Sequence, residues 1–295
     1  MRVAVLGPQG SLGIHLCEEL RLRGHDVDPI DRSVCDLSSP DRESLYRLRD
    51  RLSGTDCQLV VNTAAFTDVD GAEQKTDEAF LVNALGAELV ARAADEAGAA
   101  ICHLSTDFVF DGAQARPYDE FDAPNPLSAY ARSKLAGEKL VASASSRSFI
   151  VRVGGLYGRR GRNFVSSLLS RLRAGQSLKL DQDRLTAPTW NRLLARQIIT
   201  LCERGEHGLY HATSQGETTW YDFAQALCDE AAALGRELPR RFVGVSTSEL
   251  ASPAQRPRSS LLDCRMLRLR GLYQLPPWRE ALRAYLTELL ISGEL

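Results

Sequence analysis

The chain has 295 residues, a formal net charge of -2, a hydrophobic content of 44% and a charged content of 25%. These values are typical of a globular protein with a large core, and they argue against a nucleic-acid binder that relies on a basic surface. The seven cysteines are scattered, odd in number and without a Cys-x-x-Cys pair, which argues against a disulfide framework or a zinc site. The chain has no signal-like start and no apolar stretch near 18 residues, so we expect a cytoplasmic protein without a membrane partner.

The first predicted element is a strand, Arg2 to Leu6, which runs directly into a glycine-rich turn and then a helix. Gly7, Gly10 and Gly13 give this turn the spacing G-x-x-G-x-x-G. Gly7 allows a tight turn, Gly10 lets a pyrophosphate approach backbone N–H groups, and Gly13 lets helix and strand pack closely. The unit therefore predicts dinucleotide binding.

The second predicted strand, Asp26 to Ile30, ends at two residues with opposite implications for the cofactor. Asp31 can accept hydrogen bonds from both adenosine ribose hydroxyls, which favours NAD. Arg32 can bind a 2′-phosphate, which favours NADP. The choice between the two stays open at this point.

The third predicted strand, Gln58 to Val61, is followed by small residues that allow close approach of a flat ligand or simply dense packing. A strongly amphipathic helix is then predicted over Ala79 to Ala97, with Asn83 on its apolar face. A polar amide in that position is usually a satisfied core group. A role in holding water or backbone near a catalytic pair is the alternative.

The fourth predicted strand, Ala100 to Leu104, delivers Ser105, Thr106 and Asp107 to its carboxyl end. Ligands of open parallel sheets bind at that end, where a hydroxyl can polarise a carbonyl oxygen.

Tyr130 and Lys134 follow at helical spacing, so both side chains can point into one pocket or form a solvated pair on the surface of a helix. At about 4 Å and an effective dielectric near 20, their attraction reaches roughly 4 kcal/mol. We therefore expect Lys134 to bring the pKa of the Tyr130 phenol from about 10 towards neutrality, where a general acid works best.

The alternation of strands and helices up to a last strand, Ser148 to Val153, predicts an α/β fold with a doubly wound, parallel, Rossmann-like sheet. The composition then changes, and we predict a Rossmann-like domain over residues 1–155 and a smaller substrate-binding lobe over 156–295, with some segments returning to the first domain. Arg162, Arg256 and Arg258 of this lobe are candidates for bidentate bonds to a diphosphate or are plain surface charges.

Taken in order, these motifs resemble an extended short-chain dehydrogenase/reductase, and within that superfamily the dTDP-4-dehydrorhamnose reductase family. The resemblance runs nearly end to end and is carried by the strings AAFTDVDGAE (64–73), LSTDFVFDG (104–112), AYARSKLAGEK (129–139), YGRRGRNF (157–164), APT (187–189) and RPRSSLLD (256–263).

The resemblance implies a catalytic set in which Tyr130 donates a proton, Lys134 lowers its pKa and holds the nicotinamide ribose, Thr106 polarises the carbonyl and Asn83 is the relay asparagine. It implies that NADPH or NADH, with NADPH slightly preferred, is held by Gly7, Gly10, Ser11, Leu12, Gly13, Asp31, Arg32, Asp36, Leu37, Ala64, Ala65, Thr67, Tyr130 and Lys134. The implied contacts to a nucleotide-sugar substrate are Thr67, Val69, Thr106, Asp107, Asn163 and Arg256.

The chain also departs from the family pattern. Gly155 stands where the family usually has a tryptophan beside the sugar, and Asp183 to Thr189 reads DRLTAPT where the family has Asp-Gln-x-Gly-x-Pro-Thr. Some members are magnesium-linked dimers, but the sequence shows no carboxylate cluster that supports Mg²⁺, and either a monomer or a homodimer is expected. The implied reaction is reduction of the 4-keto group of a nucleotide-activated deoxyhexose.

Two other functions are compatible with these motifs. A non-catalytic NAD(P)-binding regulatory subunit has no need for the set Thr106, Tyr130 and Lys134. A sugar-nucleotide epimerase or dehydratase shares the fold, but dehydratases usually carry acidic residues beside the catalytic hydroxyl, where this chain has Asp107 and Phe108.

Overall fold

The strands of the protein are short, and most lie in the first two thirds of the chain. The computed structural model describes residues 1–161 and 163–295, so Arg162, a candidate diphosphate ligand, lies outside the described residues. In chain order the strands are β1 (Arg2–Leu6), β2 (Asp26–Ile30), β3 (Leu59–Asn62), β4 (Ala100–Thr106), β5 (Ser148–Val153), β6 (Leu156–Tyr157), β7 (Leu178–Asp181), β8 (Thr189–Trp190), β9 (Gly208–His211) and β10 (Phe242–Val245).

Helices alternate with these strands. They are α1 (Ser11–Leu22), α2 (Arg42–Gly54), α3 (Gly71–Gln74), α4 (Thr76–Phe80), α5 (Gly86–Glu96), α6 (Ala129–Ala144), α7 (Phe164–Arg173), α8 (Asn191–Arg204), α9 (Trp220–Ala233), α10 (Arg265–Leu269) and α11 (Trp278–Ile291).

Six strands form one parallel sheet in the order β2-β1-β3-β4-β5-β9. Helices cover both faces: α1 and α8 bury Leu16 and Ile198 on one side, while α2 and α5 bury Leu48 and Val90 on the other. Because the strand order reverses beside β1, a crevice opens at the carboxyl ends of β1 and β3, where such sheets bind ligands. The predicted doubly wound α/β fold is confirmed.

Residues after β5 build a second apolar core around Tyr157, Phe223 and Tyr285. Two small sheets, β6 with β8 and β7 with β10, belong to this region, whereas β9 returns to the central sheet. The pair β7 and β10 escaped sequence analysis because each strand has four residues and finds its partner only across α8 and α9.

The predicted helix over Ala79 to Ala97 is interrupted in the structure. Its first part is α4, its second part is α5, and Leu81–Leu85 between them form a π-helical turn that contains Asn83. Wide turns of this kind occur mostly as single insertions in helices and are frequent at functional sites.

A buried ion pair joins α6 to the sheet. Arg152 on β5 donates to both carboxylate oxygens of Glu138, at 2.9 and 2.7 Å, and Ser105 on β4 donates to the same carboxylate at 2.5 Å. Both charged side chains are almost completely buried. The pair therefore fixes α6 relative to the carboxyl ends of β4 and β5.

Among the described residues, no helix is both long enough and apolar enough to cross a lipid bilayer.

Replacing Glu138 by Ala should lower the free energy of unfolding by about 3–5 kcal/mol, because Arg152 would keep its charge without a buried partner. Urea denaturation measures this change. The matched control is Glu78→Ala, which removes an exposed pair with Lys75 and should cost less than about 1 kcal/mol. Equal costs for the two variants would contradict a structural role for the buried pair.

Candidate active site

The glycine-rich turn has the conformation that the spacing predicted. Gly7 has a φ of +73°, which favours glycine, and its carbonyl accepts a hydrogen bond from Gly10 N at 3.0 Å. A Cβ on Gly13 would lie 2.1 Å from the Gly7 carbonyl oxygen, so α1 can approach β1 this closely only with glycine there. Among the described residues, no side chain caps the N-terminus of α1. Its first N–H groups therefore fit an anionic pyrophosphate.

A cleft of about 670 Å³ opens at this turn, along the carboxyl ends of the central strands. All residues predicted to hold the cofactor line it, namely Gly7, Gly10, Ser11, Leu12, Gly13, Asp31, Arg32, Asp36, Leu37, Ala64, Ala65, Thr67, Tyr130 and Lys134. Beyond residue 155, the lining residues that the sequence analysis did not predict are Leu156, Gly161 and Asn191. Asn191 donates to Ser11 Oγ at 2.7 Å, which ties α8 to the turn.

The adenosine end of the cleft carries both features that left the cofactor choice open. Asp31 Oδ1 accepts hydrogen bonds from Ser33 N and Ser33 Oγ, at 2.9 and 2.6 Å, and these bonds lower the pKa of the carboxyl. The Arg32 side chain is exposed at the same edge. The site thus offers a carboxylate for a ribose and a guanidinium for a phosphate.

Helix α6 begins one residue before Tyr130, and two side chains hold its first turn. Ser128 accepts a hydrogen bond from Ala131 N at 3.2 Å, and Glu73 accepts one from Ala129 N at 2.7 Å. A carboxylate at a helix N-terminus is favoured by the helix dipole. Sequence analysis did not assign Glu73 a role, because nothing in its local pattern shows which distant helix it meets.

Lys134 lies in the same cleft, one helical turn after Tyr130. Its Nζ donates to the Leu104 carbonyl oxygen at 2.6 Å and lies 3.5 Å from His103 Nε2. Burial lowers the pKa of Lys134 to about 8, and the negative charge of Glu138 opposes that change.

The expected acidification of Tyr130 by Lys134 is not found in this structure. Burial instead raises the pKa of Tyr130 to about 12; the Thr106 hydroxyl counteracts this in part, and Asp107 adds to it. The physical reason is that a buried phenolate loses its hydration, while the Lys134 amine is bound to a carbonyl of β4.

Thr106 ends β4, and its hydroxyl is engaged on both sides. It donates to Asp107 Oδ1 at 3.0 Å and accepts from Phe108 N at 3.2 Å. Asp107 is buried against Gly154, and burial raises its pKa to about 6. Because a hydroxyl has one proton, Thr106 is free to donate to a ligand only when Asp107 releases it.

Asn83 is a buried core residue whose side-chain amide is fully hydrogen-bonded and joins two segments of the chain. Its amide exchanges two hydrogen bonds with the backbone of Phe66, at 2.8 and 3.1 Å, and donates to Ser133 Oγ at 2.9 Å. It therefore joins the loop after β3 to α6. Its side chain makes no contact with Tyr130 or Lys134 among the described hydrogen bonds.

The predicted substrate contacts lie in three places. Thr67 lines the cleft, and so does Asn163, whose side chain caps α7 and donates to the Gly158 carbonyl at 2.8 Å. Val69 is half-buried on the following loop. Arg256 forms two bonds to the Asp70 carboxylate, at 2.9 and 2.8 Å, and this ion pair lowers the pKa of Asp70.

The position of the missing tryptophan is closed to any side chain. Gly155 has a φ of +60°, and a Cβ there would lie 2.9 Å from Pro188 Cα and 3.1 Å from the Ala187 carbonyl oxygen. The backbone of residues 187 and 188 is therefore packed against the glycine, in the space that a larger side chain would need.

Among residues 1–161 and 163–295, no group of three or more His, Cys, Asp or Glu side chains is arranged to hold a metal ion.

The variant Gly13→Ala should bind a dinucleotide measurably more weakly than the unmodified protein. The reason is that its Cβ would overlap the Gly7 carbonyl and push α1 away from the turn. Fluorescence titration with NADPH tests this. Gly54→Ala is the matched control, since a Cβ at that helical glycine meets no atom within 4 Å, and it should bind NADPH as the unmodified protein does. Normal NADPH binding by Gly13→Ala would contradict the proposed turn geometry.

The raised pKa of Asp107 predicts a pH-dependent contribution to stability. The protonated form is favoured in the folded state, so the contribution is complete below the unfolded value of 3.8 and is lost as pH rises to about 6. By linkage it amounts to at most about 3 kcal/mol.

Urea denaturation of the unmodified protein and of Asp107→Asn between pH 4 and 7 measures this contribution. The difference between the two free energies of unfolding should change over that range. A constant difference for Asp107→Asn would show that Asp107 titrates normally.

Comparisons with known proteins agree with this geometry. A family model described as RmlD substrate binding domain matches residues 1–291. The chain is 34% identical to the spore coat polysaccharide biosynthesis protein SpsK of Bacillus subtilis, over 97% of each chain. It is 36% identical to dTDP-4-dehydrorhamnose reductase of Mycobacterium tuberculosis, over 95% of this chain and 91% of that one.

Among solved structures, dTDP-4-dehydrorhamnose reductase of Bacillus anthracis in complex with NADP superposes with a TM-score of 0.89. Its sequence is 33% identical, and the match covers 97% of this chain and 99% of that one. The resemblance seen in the sequence motifs is thereby confirmed: the chain belongs to the RmlD substrate binding domain family.

Proposed function

We propose that the protein is an NAD(P)H-dependent reductase of the 4-keto group of a nucleotide-activated deoxyhexose, dTDP-4-dehydrorhamnose or a close analogue. The observation that carries this proposal is that Tyr130 and Lys134 lie in the same cleft as the glycine-rich turn. The names of the relatives support the substrate class.

The cleft fits a dinucleotide by its own chemistry. No described side chain caps the N-terminus of α1, and Gly13 lies close to Gly7. Together these features leave room and N–H donors for a pyrophosphate. Asp31 and Arg32 face the adenosine end. A bound nicotinamide would supply the hydride.

Tyr130 is suited to hold a proton until it is needed. With a pKa of about 12 its phenol stays protonated at neutral pH, so it can donate to the oxygen of a reduced carbonyl. Lys134, with a pKa of about 8, can carry either a charge or a lone pair next to the ribose. Thr106 supplies a second hydroxyl once it turns away from Asp107.

The substrate side is proposed to consist of Thr67, Val69, Thr106, Asn163 and Arg256, with Asp107 behind Thr106. Arg256 would exchange its Asp70 carboxylate for the substrate diphosphate, since the planar guanidinium binds both groups in the same bidentate geometry. The altered wall at Gly155 supports a sugar whose substituents differ from those of the most common family substrate.

We also propose the division into residues 1–155, which bind the dinucleotide, and 156–295, which bind the substrate, with β9 returning to the first domain. The seven unpaired cysteines, six of them buried, support a reducing, cytoplasmic location. We keep the prediction that the protein is either a monomer or a homodimer.

Tyr130→Phe should cut turnover by roughly 10²–10⁴-fold while leaving NADPH affinity unchanged, because only the transferred proton is removed. The assay follows NADPH oxidation with 4-keto-6-deoxyhexoses activated by dTDP, UDP or GDP. The exposed Tyr46→Phe is the matched control and should retain full turnover. Near-normal turnover in Tyr130→Phe would remove this phenol from the mechanism.

The same assay separates the proposal from its rivals. NADPH binding without oxidation for any sugar would favour a regulatory subunit. Purified protein that carries stoichiometric NAD and interconverts two sugar nucleotides would favour an epimerase.

A further inference from the structure

His103 is a buried titratable residue to which the proposed reaction assigns no role. It lies on β4 directly before Leu104, whose carbonyl binds Lys134. Its strand neighbour in the sheet register is Asn62, the last residue of β3. Asn62, His103 and Lys134 have exposed fractions of 1%, 1% and 2%, so water does not compete for their polar atoms.

A continuous series of polar contacts runs through these residues. Ala64 N donates to Asn62 Oδ1 at 3.1 Å, and Asn62 Nδ2 lies 3.3 Å from His103 Nδ1. On the other side of the ring, His103 Nε2 lies 3.5 Å from Lys134 Nζ. The series therefore connects a backbone amide that lines the cleft to the amine of the catalytic helix.

The backbone amide decides how every proton in the series is arranged. Ala64 N can only donate, so the Asn62 oxygen must face it and the Asn62 NH₂ must face the ring. His103 Nδ1 is then an acceptor, and the neutral ring carries its proton on Nε2. Burial and the nearby Lys134 both lower the pKa of His103, which keeps the ring neutral.

The Nε2–H group consequently points at Lys134 Nζ. An ammonium group has donors only and gains nothing from this N–H, whereas a neutral amine accepts it and still donates to the Leu104 carbonyl. Glu138, on the same helix, is a charged group that acts on Lys134, and its carboxylate is paired with Arg152 of β5.

We propose that His103 is a positioning residue that, through a tautomer fixed by Ala64 N and Asn62, holds Lys134 in place and disfavours its protonation. This inference depends on the proposed function only for the role of Lys134 in turnover. It implies that the loop after β3, which lines the cofactor cleft, influences the charge of the catalytic amine.

The variant Asn62→Asp tests the tautomer directly. An aspartate can accept from both Ala64 N and His103 Nδ1–H, so the ring proton should move to Nδ1 and Nε2 should offer a lone pair to Lys134. Ring ¹⁵N spectra of the unliganded protein should show protonated Nε2 in the original protein and protonated Nδ1 in Asn62→Asp. Protonated Nδ1, or a doubly protonated ring, in the original protein would overturn the proposal.

Lys134 can be followed without any substrate, because the chain has only four lysines. In ¹³C-lysine spectra Lys134 should titrate near pH 8 in the original protein and about one pH unit higher or more in Asn62→Asp. The double variant Asn62→Asp with His103→Phe keeps the new carboxylate and lacks the ring. An equal shift in the double variant would mean that charge alone acts, and the proposal would fail.

Activity provides an independent check. His103→Phe should reduce kcat by about 10–100-fold, as expected for a residue that orients a functional group. The matched control is His15→Phe, a buried histidine whose ring has no hydrogen-bond partner among the described residues. If no keto-sugar is reduced by the original protein, the proposed function fails. The ring ¹⁵N spectra and the ¹³C-lysine titration still decide the role of His103.

Discussion

The hydrogen bond from the buried Lys134 amine to the Leu104 carbonyl is the contact on which the arrangement of the site depends. At 2.6 Å it attaches α6 to the end of β4, so the first turn of the helix, with Tyr130, lies over the carboxyl edge of the sheet. The buried pair of Arg152 and Glu138 strengthens the same junction one turn further along. The Tyr130 phenol therefore has a fixed position in the cleft that the glycine-rich turn also lines.

Burial governs the electrostatics of this junction more than any pairing of charges. It raises the pKa of Tyr130 and Asp107 and lowers that of Lys134, so each of these groups is driven towards its neutral form. In a poorly hydrated cleft, the charge of a bound ligand interacts strongly with these groups and therefore changes their pKa values strongly. This explains why Tyr130 holds its proton firmly in the unliganded protein and why a diphosphate or a dinucleotide would change the site most.

The fold class and the glycine turn could be predicted from local periodicity and fixed spacings, whereas the remaining predicted cleft residues came from the family resemblance. Strands β1, β2 and β5 were predicted with the bounds that the structure shows. The contacts of Glu73, Asn62 and His103 could not be predicted, because they join segments that lie far apart in the chain. The prediction that Lys134 lowers the pKa of Tyr130 was wrong, because the spacing of two residues in the sequence shows that they are close but not that they are buried. Pro188 leaves no room for a side chain at Gly155. The sequence around either residue does not show that the two meet.

The position of the transferred hydrogen tests the proposed arrangement most directly. With NADPH deuterated on the transferred face of nicotinamide C4, reaction in ordinary water should yield a sugar nucleotide with one deuterium at C4, detectable by mass spectrometry and NMR. A product without deuterium at C4, or with deuterium at another carbon, would contradict hydride transfer to a 4-keto group in this cleft.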